Sequence, residues 1–163
     1  MTRQEATEFY RNHSTAVYNT ALRIIRDSSE AEEIMQDTLM RYIQKGVRSA
    51  TSAQAAGWLR TTCIRLSIDH LRRKKRSLEI TDSLPLEEYE EECEVPETMD
   101  VIHIRDAMLK LPYPYSLILD LVLMEGMDYA GIARLTGQKE TTLRSWYSRG
   151  RARLAKELKA NKI

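Results

Sequence analysis

The sequence predicts an all-α protein built from two small helical domains joined by an acidic flexible linker. Apolar residues recur at helical spacing in both halves, and no long stretch alternates with the two-residue period of a strand. Between the halves, residues 77–100 hold ten Asp or Glu, no Lys or Arg, and two prolines. Such a block buries too little apolar surface to offset its ordering entropy. We therefore expect domains at residues 1–76 and 101–163, with the linker at residues 77–100.

The first half is expected to contain three helices. Apolar residues at helical spacing in residues 9–25 predict the first. Ser29 and Glu32 predict a capping box that opens the second. Residues 46–57 are small and polar and predict a loop with at most one helical turn, after which residues 58–76 supply the third helix.

The second half has the pattern of a helix-turn-helix. Pro112 marks a turn, and the apolar residues 117–124 predict a buried helix. A short amphipathic stretch then leads to Gly137 and to a long basic helix that is expected to begin near Thr141 or Thr142. A short helix, a glycine turn and a long helix at this spacing favour a DNA-binding element.

Positive charge is concentrated on one face of the third predicted helix, although the formal net charge is only +1. At about 100° per residue, Arg65, Arg72 and Arg76 fall within a sector of roughly 40°, with Trp58 on the same side and Asp69 beside it. Guanidinium groups match phosphate oxygens, and each neutralised phosphate releases condensed counterions. This face is therefore predicted to bind DNA backbone, although Trp58 taken alone is more typical of a core residue.

The outward face of the last helix carries residue types that contact bases and phosphates in a major groove. These residues are Arg144, Ser145, Tyr147, Ser148 and Arg149. A solvated basic terminal helix is the alternative interpretation of the same pattern.

Several kinds of chemistry are not favoured. Cys63 and Cys93 form no CxxC or Cys/His cluster, which disfavours a disulfide framework or a metal site. His13, His70 and His103 are isolated, no glycine-rich phosphate loop occurs, and no residues resemble a catalytic set, so we expect no enzyme activity and no cofactor. A polar start and short apolar runs predict a cytoplasmic protein without membrane insertion.

Three segments resemble the extracytoplasmic-function (ECF) sigma factors of RNA polymerase. "EAEEIMQDTLM", Glu30 to Met40, is similar to their region 2.2, and "WLRTTCIRLSIDHLRRKKR", Trp58 to Arg76, resembles their region 2.4. "MDYAGIARLTGQKETTLRSWYSRGRARL", residues 127–154, resembles their region 4. The resemblance implies a region 2 helical bundle, a region 4 helix-turn-helix, and a specificity subunit that binds core polymerase and two promoter elements.

Site residues are carried over by position from the resemblance. Contact with the clamp helices of the largest polymerase subunit is implied for Glu32, Glu33, Gln36 and Asp37. Contact with the minus-ten element is implied for Trp58, Arg60, Arg65, Asp69, Arg72, Arg73 and Arg76. Contact with the minus-thirty-five element is implied for Thr141, Thr142, Arg144, Ser145, Ser148 and Arg149.

Some positions depart from the family pattern. Gly131 stands where the family has Glu, Trp146 where it has Arg, and Gly150 where Ala is common. A glycine inside a helix costs about 1 kcal/mol relative to alanine. We hypothesise that recognition of the minus-thirty-five element is unusual, and an anti-sigma factor or a recruiting protein is the further partner that the resemblance implies.

Two other functions remain open on the sequence alone. A helix-turn-helix regulator that acts without polymerase would explain the second half but leave the region 2.2 resemblance as coincidence. A helical adaptor or anti-activator that binds polymerase and no DNA is the second; in that case, replacing Arg72, Arg73 and Arg76 by Ala would leave transcription unchanged.

Overall fold

The computed structural model describes residues 2–46, 51–74 and 101–160. These residues form seven α-helices and one π-helical turn, with no strand among them. The helices fall into two compact units, three in the first and four in the second. The predicted all-α fold with two helical domains is confirmed, whereas the predicted linker at residues 77–100 lies outside the described residues.

The first unit is a three-helix bundle. Its helices are α1 (Arg3–Ile25), α2 (Ser28–Lys45) and α3 (Ser52–Lys74). Each helix packs against the other two. The buried apolar side chains are Val17, Ala21 and Ile24 in α1, Ile34 and Leu39 in α2, and Leu59, Cys63 and Ile68 in α3. Pairwise packing of this kind fixes the outward faces of α2 and α3 relative to each other.

Reciprocal side-chain caps determine where α1 and α3 begin. The Thr2 amide donates to Glu5 Oε2 at 2.8 Å, and the Glu5 amide donates to Thr2 Oγ1 at 3.2 Å. The same exchange joins Thr51 and Gln54, at 3.0 and 3.2 Å. Helix α3 therefore begins at Ser52, and the predicted loop over residues 46–57 is wrong from that point on, because the cap satisfies the first amides of the helix.

The beginning of α2 also differs from the prediction. Asp27 is the N-cap, and its Oδ1 accepts from the Glu30 amide at 3.0 Å. Arg26 ends α1 in the left-handed region at φ 61°, which leaves the next residue in the extended conformation that an N-cap requires. The capping box predicted for Ser29 and Glu32 is therefore wrong, since both residues already lie inside the helix.

The second unit is organised around its last helix. Its elements are α4 (Val101–Leu109), α5 (Tyr113–Leu119), a π-helical turn (Asp120–Met124), α6 (Tyr129–Thr136) and α7 (Glu140–Ala160). Helix α7 packs against α4, α5 and α6. The fully buried side chains include Ile118, Leu121, Ile132, Leu143 and Leu158.

The apolar residues 117–124, which were predicted to form a buried helix, are only partly buried. Pro112 precedes α5 as predicted, and residues 117–121 lie in the core. The helix then widens at the π-helical turn, where the Glu125 amide donates to the Asp120 carbonyl oxygen at 3.1 Å. Leu123 and Met124 are 54% and 49% exposed, so the predicted buried helix ends before them.

Gly150 lies on the side of α7 that packs against α5. A Cβ placed on Gly150 would come 3.1 Å from the Tyr115 Cβ and 3.4 Å from Leu119 Cδ1. Tyr115 would have to shift by a few tenths of an ångström to admit a Cβ at this point, so glycine suits the position.

Candidate protein and nucleic-acid interfaces

Helix α2 presents an acidic and amide face to solvent. The predicted polymerase contacts Glu32, Glu33, Gln36 and Asp37 are all exposed. The opposite side of the helix buries Ile34, Met35, Thr38 and Leu39. Because the apolar side is held in the bundle, the polar face is fixed outward.

Two further residues belong to this face. Arg41 Nε lies 3.1 Å from Asp37 Oδ1, in an ion pair between exposed side chains one helical turn apart. Met40 is 51% exposed and follows Glu33 and Gln36 at helical spacing, so it adds an apolar contact point to the acidic and amide face. The sequence prediction missed Met40, although its spacing from Gln36 could have identified it.

Helix α3 presents a cationic face. Arg60, Arg65, Arg72 and Arg73 are exposed, and Trp58 and Asp69 are half-buried. Arg60 is exposed on a different side of the helix, about 140° around its axis from Arg65. Ile64, Ile68 and Leu71 are buried on the bundle side, and the guanidinium groups of the other three arginines point into solvent. Arg76, the last predicted residue of this face, lies outside the described residues.

The basic end of α3 is tied to α2 by an ion pair with a histidine beside it, which the sequence prediction missed. Lys74 Nζ pairs with Glu30 Oε1, and His70 Nε2 lies 3.2 Å from Glu30 Oε2. His70 and Lys74 are one turn apart, so both reach the same carboxylate. Lys74 is therefore already paired within the bundle, in contrast to the outward Arg72 and Arg73.

Trp58 belongs to a chain of aromatic rings that crosses all three helices. Its ring centroid is 5.4 Å from that of buried Tyr42, which stacks on Phe9 at 4.7 Å. Phe9 contacts His13, whose pKa is lowered by burial, at 4.6 Å. Lys45 Nζ lies over the Trp58 ring, 5.1 Å from its centroid. Trp58 thus combines a core contact with partial exposure, because its ring packs into the bundle at one side.

The second unit contains the predicted helix-turn-helix. Asp128 caps α6 by accepting from the Gly131 amide at 2.8 Å. Gly137 ends α6 in the left-handed region at φ 73°, and α7 begins at Glu140, one residue before the predicted start. Glycine suits the left-handed position of this turn. The cap shows that Gly131 serves α6 through its backbone amide.

One face of α7 carries the predicted base contacts. Thr141, Arg144, Ser145 and Ser148 are exposed, and Thr142 and Arg149 are half-buried. On the opposite side Leu143 is 1% exposed and Trp146 is 6% exposed. The helix is thus held by one face and offers the other to solvent, as a groove-reading helix requires.

Trp146, which stands where the family pattern has arginine, is a core residue and does not belong to the exposed face of α7. The residue packs inward and stands away from the exposed face of α7. Replacing Trp146 by arginine would place a charge in the core.

Arg144 is held against an aromatic ring of α6. Its Cζ lies over Tyr129, 5.4 Å from the ring centroid, and Tyr147 meets the same ring edge-on at 6.2 Å and 76°. Burial raises the pKa of the Tyr129 hydroxyl, Tyr147 adds to the rise, and Arg144 opposes it. The sequence does not predict this contact, because a contact between two helices has no signature in either segment alone.

Other kinds of site are not present in the described part of the chain. Within residues 2–46, 51–74 and 101–160, no cluster of three or more His, Cys, Asp or Glu is placed to hold a metal ion. Cys63 is buried, and its Sγ donates to the Val17 carbonyl oxygen at 3.4 Å. Among the described helices, none has both the length and the apolar character needed to cross a membrane.

The described helices form a three-helix bundle and a second unit with a helix-turn-helix. This combination of units defines a class of protein. Residues 9–77 match the family described as Sigma-70 region 2, and residues 103–154 match Sigma-70, region 4. The first match covers α2 and α3 with their acidic and cationic faces, and the second covers α6 and the part of α7 that carries the predicted base contacts.

Curated relatives narrow this class to one family. The chain is 30% identical over 139 residues to the ECF RNA polymerase sigma factor SigL of Mycobacterium tuberculosis, covering 83% of this chain and 78% of SigL. It is 27% identical over 152 residues to SigM of the same species, covering 93% and 76%. The chain therefore belongs to the ECF sigma factors, the RNA polymerase subunits that direct transcription initiation, and a helix-turn-helix regulator acting without polymerase is not favoured.

A solved structure shares the fold. The sigma factor RpoE of Bartonella quintana, crystallised with the anti-sigma factor NepR, matches with a TM-score of 0.56 and 21% identity. The match covers 98% of this chain and 99% of RpoE.

Proposed function

We propose that each of the three exposed faces binds a different partner of a sigma factor. The acidic and amide face of α2 binds the clamp helices of the largest polymerase subunit. The cationic face of α3 binds the minus-ten element, and the outward face of α7 reads the minus-thirty-five element. Residues 1–76 and 101–163 act as the two functional domains, and residues 77–100 connect them.

The observation that supports this division is the contrast between two neighbouring helices. One bundle exposes Glu33, Gln36 and Asp37 on α2 and Arg65, Arg72 and Arg73 on α3. A basic helical partner complements the first set, and a phosphate backbone complements the second. A single binding partner of uniform charge would match only one of them.

The first experiment is run-off transcription from a random promoter library with purified core polymerase, with and without the chain. We expect new start sites that share two spaced motifs. Binding to core polymerase without new transcripts would contradict the proposed promoter recognition and favour a polymerase adaptor.

Charge variants separate the two faces of the first unit. Glu33→Lys with Asp37→Lys is expected to abolish co-elution with core polymerase. Arg72→Ala with Arg73→Ala is expected to preserve co-elution and reduce promoter opening. Glu8→Lys and Arg11→Ala, which change exposed charges on α1, are the matched controls. Equal loss of co-elution in the α2 variant and its control would contradict the assignment.

The remaining partners and properties follow from the family. An anti-sigma factor or a recruiting protein is inferred as a further partner, and exposed Leu123 and Met124 offer apolar contact in the second unit. We also infer a cytoplasmic protein without enzyme activity. Purifying the chain from its own host, then assaying transcription before and after removal of bound proteins, tests the inhibitor: transcription should rise on removal.

A further inference from the structure

We propose that Tyr129 is a specificity-determining residue that acts through Arg144, by holding its guanidinium group for guanine at one position of the upstream promoter element. The inference rests on the proposed role of the α7 face. Tyr129 itself lies on α6, outside that face.

Base recognition by Arg144 requires a contact that orients its guanidinium group. Arg144 is an exposed side chain near the beginning of α7. Arginine reads guanine through two parallel hydrogen bonds to O6 and N7, which requires a defined guanidinium plane. A long exposed side chain samples many rotamers, so a group that restricts Arg144 before binding favours this readout over a diffuse phosphate contact.

The Tyr129 ring supplies such a contact. The Arg144 Cζ stands over the ring at 5.4 Å from its centroid, within the range of a cation–π interaction. A guanidinium group held over a ring keeps its N–H edges available for hydrogen bonds. The contact therefore restricts Arg144 without occupying the donors that would read the base.

The ring is itself held in place from two sides. Tyr129 is the first residue of α6, directly after the N-cap Asp128, so its backbone is fixed by the cap. Tyr147 of α7 meets the ring edge-on at 6.2 Å. The hydroxyl pKa is raised, so the ring stays neutral near pH 7 and the contact is with the ring face rather than with a phenolate.

The test is selection of the upstream element from a randomised library by the full chain bound to core polymerase, with the downstream element fixed. Arg144→Ala should remove a guanine preference at one position. Tyr129→Leu should weaken the same preference two- to fivefold and leave the other positions unchanged. Tyr129→Phe, which keeps the ring, should retain the preference.

A double variant and a second library distinguish orientation from general damage. In the Arg144→Ala background, Tyr129→Leu should have no further effect at that position, because the contact is already absent. A parallel library of the downstream element should give the wild-type motif with Tyr129→Leu, which reports that the complex is intact.

Three results would overturn the proposal. Tyr129→Leu could keep the full preference, or it could weaken all positions equally, or Tyr129→Phe could lose as much as Tyr129→Leu. If Arg144→Ala itself changes no position, the assigned role of Arg144 on the α7 face fails together with this inference. If Arg144→Ala removes the preference and Tyr129→Leu does not, only this inference fails.

Discussion

Two glycines inside helices, Gly57 and Gly150, differ in their surroundings. Nothing lies within 4 Å of a Cβ placed on Gly57, whereas one on Gly150 would be 3.1 Å from the Tyr115 Cβ. Gly57→Ala should therefore raise the free energy of unfolding by about 1 kcal/mol through helix propensity. Gly150→Ala should lower it, by up to about 2 kcal/mol, because overpacking exceeds the same gain. Denaturant unfolding of both variants measures the difference, and a Gly150→Ala variant as stable as wild type would refute the packing argument.

Trp146 gives a second prediction for a single residue. Because its side chain is only 6% exposed, Trp146→Arg should destabilise the second unit by several kcal/mol through an unpaired buried charge. Ser145→Arg, at the exposed neighbouring position, should change stability by less than about 0.5 kcal/mol. Thermal unfolding separates the two variants. A folded Trp146→Arg protein of normal stability would show that the indole is dispensable.

At the basic end of α3, some cations are available to DNA phosphates and one is already paired within the bundle. Arg72 and Arg73 point outward, and Lys74 is paired with Glu30. Removing a cation that neutralises one phosphate should reduce the salt slope of DNA affinity by about 0.9. Arg72→Ala or Arg73→Ala should approach that change, and Lys74→Ala should cause a smaller one. Glu30→Gln should increase the slope by freeing Lys74.

The measurement is promoter affinity of the polymerase complex across a series of salt concentrations. Equal slopes for Lys74→Ala and Arg72→Ala would mean that the Glu30 pair does not persist when DNA is bound. Arg11→Ala, on the exposed side of α1, serves as the control cation.

The helices themselves could be predicted from the sequence, whereas the side-chain contacts between them could not. Apolar periodicity predicted α1 from residue 9 on and a helix over residues 117–124, but the beginning of α3 was missed because Ala, Gly, Ser and Thr are as common in loops as in a capped first turn. The outward residues of α7 followed from their residue types on the last helix, and the contact residues of α2 followed from the family resemblance. The Tyr129–Arg144 and Glu30–Lys74 contacts join residues distant in sequence, so only packing reveals them.

The whole chain is nearly neutral because one acidic block offsets an excess of cations in the rest of the sequence. Residues 77–100 carry ten acids and no cation, which leaves 25 cationic and 14 acidic side chains elsewhere. This acidic block should oppose the attraction of the basic faces to nucleic acid. Replacing six of its glutamates by glutamine should raise non-specific DNA affinity without polymerase, most strongly at low salt. Unchanged affinity at low salt would exclude such long-range repulsion.

Helix α7 has one buried side, which packs into its unit, and one exposed side, which carries the predicted base contacts. Leu143, Trp146 and Gly150 pack α7 into its unit, whereas Thr141, Ser145 and Ser148 are exposed on the other side. The outward set can therefore be exchanged as a cassette, together with Tyr129 where an arginine is kept at position 144. On the function proposed for this face, such exchanges should change the upstream element that the factor selects, and selection from a randomised promoter library would measure the change.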